Sequence, residues 1–369
     1  MFVKKDLRKI PQILADASQR AASSPPSSSA EEDASATPPT KKTENDNDII
    51  KEMRLGRRAP EFLPSCNASI LLQPKFRPAL DNLVQLSLYD CGLTSLAGIE
   101  LHPTNDDMSS SATTLFPKLQ QLDIGRNPKL TNESLPESLH TQFPSLLELW
   151  CDDCSFGPNI PDTFLQMTSV HVVRMTCNKL EGQLEDGIGV KYWQHVRVLA
   201  MDGNKLSSVG RGVGQLEYLE TLHLRQNKLI SLPEGVPSAS NTSLTMLCLS
   251  SNLLTSLPKS IVDVADTLTE LYVNGNQLQT LPEGLAQNLT WLKKFNLAHN
   301  NIDDEELLPR DFVMRFGLPE AVTGHCTKDE KCIVRMEGNP MAESRRKAYL
   351  EEEKAKAKAL EMEVDGDDE

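Results

Sequence analysis

The chain has 369 residues, a formal net charge of -14 and only 5% aromatic residues, so repeated aliphatic layers are expected to supply its core. Such acidity argues against nucleic acid or an anionic membrane surface as the main partner. No apolar run approaches the ~20 residues that a membrane-crossing helix needs.

The opening segment, Met1 to Ile10, is basic yet lacks the apolar stretch of roughly 7–15 residues that marks a secretory signal. The eight cysteines are therefore expected as thiols in a reducing compartment, the cytoplasm or the nucleus. The sequons at Asn67, Asn132, Asn241 and Asn288 are then expected to stay unmodified. An organelle transit peptide is the rival reading, because Lys4, Lys5, Arg8 and Lys9 outnumber Asp6 and a Ser-rich stretch follows. Residues 1–18 read either as a short amphipathic helix through Leu7, Ile10 and Leu14 or as a partial repeat. The second reading arises because Leu7 to Leu14 echoes Leu229 to Val236. Residues 19–48 have almost nothing to bury and read as a disordered linker. Residues 49–82 become apolar again (Leu63, Ile70, Leu71, Leu72, Leu80) and read as the N-terminal cap that a repeat array needs.

From residue 83 to 340 one phrase recurs: Leu219-x-x-Leu222-x-Leu224-x-x-Asn227-x-Leu229 in its clearest form. Its ninth position falls at Cys91, Asn127, Cys154, Asn178, Asn204, Asn227, Asn252, Asn276, Asn300 and Asn339, with steps of 24, 26, 23, 25, 24 and 24 residues between Cys154 and Asn300. The Leu-x-Leu pair predicts a short strand that buries positions 4 and 6 and displays positions 3, 5 and 7. One such strand cannot bury its own face, so successive coils must stack. The polar ninth residue turns inward and has to find partners there. Two intervals exceed the period. Between Cys91 and Asn127 the surplus is polar, His102 to Thr114, and reads as a mobile loop over 103–113. Between Asn300 and Asn339, residues 303–331 carry Leu307, Leu308, Phe312, Phe316 and Leu318 and read as a partly packed insertion. Residues 341–369 read as a charged C-terminal helix, over 342–362, ending in an acidic tail.

These phrases resemble the leucine-rich repeat superfamily over roughly residues 68–340. Ser231-Leu-Pro233, Ser256-Leu-Pro258 and Thr280-Leu-Pro282 are similar to the back segments of intracellular Ras-scaffold and plant Ras-group-related members. Asn178-Lys-Leu-Glu-Gly-Gln-Leu184 is similar instead to plant-type receptor repeats. The resemblance implies an α/β repeat solenoid, a right-handed horseshoe of about ten coils with a concave parallel β-sheet, used to bind other proteins. It also implies that the inward asparagines bond to the backbone of the turns, as a ladder along the solenoid.

Several motifs invite chemistry. Cys151-Asp-Asp-Cys154 has redox or zinc spacing, but the register places both thiols at inward positions, and no second cysteine pair accompanies them. His325, Cys326 and Cys332 offer two or three ligands without a fourth. Gly210-Arg-Gly-Val-Gly214 has the look of a phosphate loop, yet it follows no strand-to-helix pattern with a completing lysine, so it reads as a glycine-tolerant turn. With no kinase, hydrolase or metalloprotease signature, the sequence gives no reason to expect catalysis, a cofactor or a metal.

Specificity is expected on the displayed strand positions. Position 5 reads Ser87, Asp123, Trp150, Arg174, Ala200, His223, Cys248, Tyr272, Asn296 and Arg335. Trp150, Arg174 and Tyr272 are of the types that dominate binding hot spots. Glu148 and Asp152, with Asp153, form an acidic edge; Arg174, Arg197 and Arg225 supply positive charge, and His223 lies among them. These eight residues (Glu148, Trp150, Asp152, Arg174, Arg197, His223, Arg225 and Tyr272) are the predicted protein-binding set, spanning the third to eighth strands. The leading expectation is an intracellular scaffold or adaptor, in signalling by family analogy. The alternatives are a recognition or regulatory subunit of a ubiquitin ligase or phosphatase assembly, and an organelle-targeted structural repeat protein.

Overall fold

The computed structural model describes residues 51–54, 80–97, 114–303, 333–340 and 351. The segments read as an N-terminal helix or partial repeat, as the 19–48 linker and as the 103–113 loop lie outside the described residues, as do most of the cap, nearly all of the 303–331 insertion, the His325/Cys326/Cys332 group and the C-terminal helix but for Glu351. The chain divides into two compact units, Met1–Lys179 and Leu180–Glu369.

In the first unit five strands of three residues pair in chain order: β1 (Glu52–Arg54), β2 (Gln85–Ser87), β3 (Gln121–Asp123), β4 (Glu148–Trp150) and β5 (Val172–Arg174). All four pairings are parallel, and the register equals the phrase position. Leu86, Leu122, Leu149 and Val173 therefore form one buried column, and Ser87, Asp123, Trp150 and Arg174 form the next on the opposite face. β1 comes from the segment expected only as a cap. It adds a strand because Met53 takes the core position beside Leu86, a single apolar residue that leaves no periodicity to read. Behind this sheet Phe116 stacks on Phe143 at 5.4 Å and Phe156 meets Phe164 edge-on at 5.2 Å. Aromatic pairs thus join the aliphatic layers in the core of this unit.

In the second unit β6 (Glu181–Gln183) and β8 (Lys205–Ser208) form a small parallel sheet of their own. β6 is the strand made by the plant-type phrase after Asn178. The main sheet runs β7 (Val198–Ala200), β9 (Thr221–His223), β10 (Met246–Cys248), β11 (Glu270–Tyr272), β12 (Lys294–Asn296) and β13 (Ile333–Arg335). Leu199, Leu222, Leu247, Leu271 and Phe295 make its buried column. Two displayed positions were misassigned by pattern alone: Ala200 and Cys248 are buried. Both are small and flank His223 in the same column, so larger neighbours close over them.

The strands stop after three residues for a backbone reason. Position 8 of every described phrase is left-handed: Asp90, Arg126, Asp153, Cys177, Gln226, Ser251 and His299 have φ of 54 to 57°, and Gly203, Gly275 and Gly338 have φ of 67 to 74°. That residue turns the chain, and its N–H donates to the position-7 carbonyl of the next coil, as from Gln226 to Ser250 at 2.9 Å. Position 9 then points inward. Asn227 donates from Nδ2 to the carbonyls of Met201 (3.0 Å) and Leu224 (3.1 Å), and its Oδ1 accepts from the N–H of Leu206 at 3.0 Å. Asn252, Asn276, Asn300 and Asn339 repeat the pattern. Cys154 keeps part of it, its Sγ donating to the Ile124 carbonyl at 3.4 Å.

The Gly210–Gly214 run is a short 3-10 helix over Arg211–Gln215, not a glycine-tolerant turn. A Cβ on Gly212 would lie 2.1 Å from the Ile188 carbonyl oxygen, and one on Gly214 would lie 1.7 Å from that of Gly235. These glycines are there because neighbouring backbone leaves no room.

Candidate functional site

The exposed face of the first unit carries a cleft of about 320 Å³ lined by Tyr89, Asp123, Gly125, Trp150, Asp152, Asp153, Arg174, Thr176 and Cys177. Phrase positions 5, 7 and 8 of adjacent coils supply these side chains, so the strand register alone assembles them. Arg174 is fixed from two sides. Its Nε and Nη2 both reach Asp152 Oδ2, at 3.0 and 2.9 Å, and its guanidinium lies 5.3 Å from the Trp150 ring centroid. Asp152 is held in turn, its Oδ1 accepting from the Thr176 N–H at 2.8 Å. Asp123 accepts from the Ser87 hydroxyl (2.8 Å) and from the Gly125 N–H (3.0 Å). The indole Nε1 of Trp150 is buried and has no hydrogen-bond partner among the described residues. Of the predicted set, Trp150, Asp152 and Arg174 meet here; Glu148 shares β4 with Trp150 but does not line the cleft.

In the second unit the predicted residues fall into three separate groups. Arg197 pairs with Glu220 at 3.1 Å on the surface. His223 Nδ1 lies 3.8 Å from Asp202 Oδ2, and the Arg225 backbone N–H donates to Asp202 Oδ1 at 2.6 Å. Tyr272 donates its hydroxyl to Glu270 Oε2 at 2.6 Å, while Lys294 donates to Glu270 Oε1 at 2.9 Å. Burial pushes the Glu270 carboxyl up, but the Tyr272 and Lys294 bonds outweigh it and leave it below the usual range. Burial and the Glu270 bond both raise the Tyr272 phenol.

Tyr89, Asp123, Asp202, Glu220, Glu270 and Lys294 are the participants that the sequence reading passed over as site residues. The signal for some of them was the phrase itself. Arg197 and Glu220 both hold position 2 of successive coils, and Glu270 and Lys294 both hold position 3, so equal positions one coil apart predict a pair.

Cys151 and Cys154 lie in the core as the register predicts. Burial drives the Cys151 thiol far above its ordinary value, and pushes those of Cys91 and Cys154 up to about 12. Among the described residues no group of three or more metal-ligating side chains converges, and no helix is long and apolar enough to cross a membrane.

No family model matches the chain. A solved leucine-rich repeat protein of Leptospira interrogans, 22% identical, superposes with a TM-score of 0.56 over 79% of this chain and 73% of its own. The chain has the leucine-rich repeat fold. An internalin of Listeria monocytogenes, 17% identical, has the same fold at a TM-score of 0.52, covering 74% of this chain and 64% of that one. Sequence relatives point the same way. Podocan of Mus musculus is 25% identical over 228 residues, 60% of this chain and 33% of that one. Osteomodulin of Bos taurus is 32% identical over 99 residues, 27% of this chain and 22% of that one. A leucine-rich repeat and calponin homology domain-containing protein of Drosophila melanogaster is 36% identical over 135 residues, 31% of this chain and 17% of that one. The chain thus spans a third or less of the length of these relatives.

Proposed function

We propose that this chain is a non-catalytic binding scaffold that docks a protein partner on the displayed face of its sheet, with Trp150, Arg174 and Asp152 as the anchor. The observation that carries this reading is the cleft in which Arg174 is clamped by Asp152 and laid over Trp150. Tryptophan and arginine convert contact into affinity better than other side chains. Strands held by a stacked core present them with little ordering left to lose. The chain is read as working inside the cell, as an adaptor. Two features support this. Cys151 and Cys154 remain thiols that donate to backbone carbonyls. Asn241, the third sequon, is buried with its amide engaged by Val213, Leu216 and Ser238, where no glycan could be attached.

The test is affinity capture with proximity labelling from cells, comparing the intact chain with one carrying Trp150→Ala and Arg174→Ala, followed by titration of each purified partner. Each single change is expected to weaken binding by ~1–3 kcal/mol with the melting temperature nearly unchanged. Normal binding by the double variant, together with loss of the partner on deleting residues 342–369, would overturn the reading.

A further inference from the structure

In the second unit, the segments that follow the inward asparagines lie side by side. The Lys228 N–H donates to the Leu206 carbonyl at 2.8 Å, that of Ile230 to Ser207 at 3.5 Å, and that of Leu253 to Leu229 at 2.9 Å. Neighbouring extended segments of this kind run roughly 4.8 Å apart. Along them burial alternates: Leu206, Leu229 and Leu254 lie in the core, while Lys205, Lys228, Ile230, Leu253 and Thr255 are exposed. The outward residues form a small grid. Lys205, Lys228 and Leu253 hold the tenth phrase position, and Ser207, Ile230 and Thr255 hold the twelfth.

Two properties set this edge apart. Ile230 and Leu253 are 58% and 43% exposed; single exposed aliphatics are ordinary, but these two stand on adjacent coils. The charge here is also the reverse of the molecule's. The chain has 52 acidic and 38 basic residues, yet exposed Arg225, three residues before Lys228, adds a third cation to this edge. Among the described residues, Lys205, Lys228 and Arg225 make no ion pair. Glu181 is the register partner of Lys205 but lies beyond ion-pair distance of it, and Asp202 is turned to the Arg225 N–H and to His223. An aliphatic pair bordered by such cations is complementary to carboxylates set beside an apolar side chain. Alternate residues of an extended chain project from one face roughly 6.6 Å apart, and Lys228 and Ile230 stand in that same relation. We infer that this edge binds an extended acidic segment of a partner polypeptide, with carboxylates on Lys205 and Lys228 and an aliphatic side chain two residues away on Ile230 and Leu253. A polypeptide fits better than an anionic bilayer, because three cations do not offset a net charge of -14 against a broad anionic surface. None of these residues lines the cleft built around Trp150 and Arg174, so this surface and that docking reading stand or fall separately.

The test is fluorescence anisotropy with the full chain and three labelled octapeptides, made of glutamate and leucine, glutamate and serine, or lysine and leucine. The glutamate–leucine peptide should bind saturably, the glutamate–serine peptide about fivefold more weakly, and the lysine–leucine peptide not at all. Lys205→Glu with Lys228→Glu turns two attractions into repulsions and should weaken the first peptide roughly tenfold. Ile230→Ser should weaken it about fivefold, and Lys228→Arg should bind as the parent chain does. Lys228→Glu alone should cost about threefold, whereas Lys293→Glu, the same change of net charge outside this edge, should cost nothing. All the changed side chains are exposed, and circular-dichroism melting checks that each variant folds. Absence of glutamate–leucine binding, equal binding of either other peptide, undiminished affinity in the folded double variant, or an equal loss with Lys293→Glu overturns the inference. Sedimentation with phosphatidylserine vesicles in the absence of peptide binding also overturns it, and assigns the edge to a lipid surface.

Discussion

At the scale of single residues, the ninth position shows how one polar side chain holds two coils. Replacing Asn227 by Ala leaves the buried Leu206 N–H without its acceptor, whereas the Met201 and Leu224 carbonyls keep a bond from Asn204 and from Asn252. An unsatisfied buried group costs about 1–3 kcal/mol, so Asn227→Ala is expected to lower stability by ~1–3 kcal/mol in urea titrations. Exposed Arg225, two residues earlier, should change it by less than ~0.5 kcal/mol when cut to Ala. The eighth position makes the opposite prediction. A non-glycine residue in the left-handed region pays roughly 1–2 kcal/mol, partly offset by the greater freedom glycine has in the unfolded chain. Gln226, at φ 55°, should thus gain ~0.5 kcal/mol on mutation to Gly, while Gly275→Ala, at φ 67°, should lose ~1 kcal/mol. A third expectation concerns pH. Burial and the Glu270 bond raise the Tyr272 phenol above its ordinary value, so its contribution to folding is complete below the ordinary value and disappears as pH climbs through the folded one. Phenolate absorbance should show one tyrosine titrating late, and Glu270→Gln should return it towards the ordinary range.

At the scale of elements, strand identity follows from register, and register can be checked by unequal damage. Leu222→Ala should destabilise by ~2–5 kcal/mol, as expected for a large-to-small change in a packed column; damage equal to that of Arg225→Ala would mean the phrase is read one residue out of step. Much of this was legible in advance. Every described leucine at position 4 lies in the core because a period-2 pattern leaves it no alternative. The displayed column was legible less fully. Ala200 and Cys248 hold position 5 yet are buried, since exposure depends on the bulk of neighbours one coil away, which a single phrase does not contain. The cleft was half visible. Trp150, Asp152 and Arg174 announce themselves by residue type, whereas Tyr89 and Asp123 join them only once neighbouring coils stack. Likewise, the closeness of Gly212 to the Ile188 carbonyl exists only once the coils are stacked. Gly212→Ala, with a Cβ 2.1 Å from that oxygen, should impair folding far more than an average surface Gly→Ala change.

At the scale of the molecule, a net charge of -14 favours the approach of a partner with a basic docking surface. The association rate of such a partner should fall about tenfold or more between low and high salt, while dissociation changes less. A rate insensitive to salt would point to a neutral or acidic partner surface. The asparagine column also sets how the protein breathes. The amides of Leu206, Leu229, Leu254 and Leu278 are each held by the side chain of the following coil's asparagine. Deuterium can reach such an amide only when that next coil lifts away. The labelling rate at each of these leucines is therefore a clock for the opening of its neighbour, and a bound partner that spans two coils would slow the clock of the coil before it without touching the leucine.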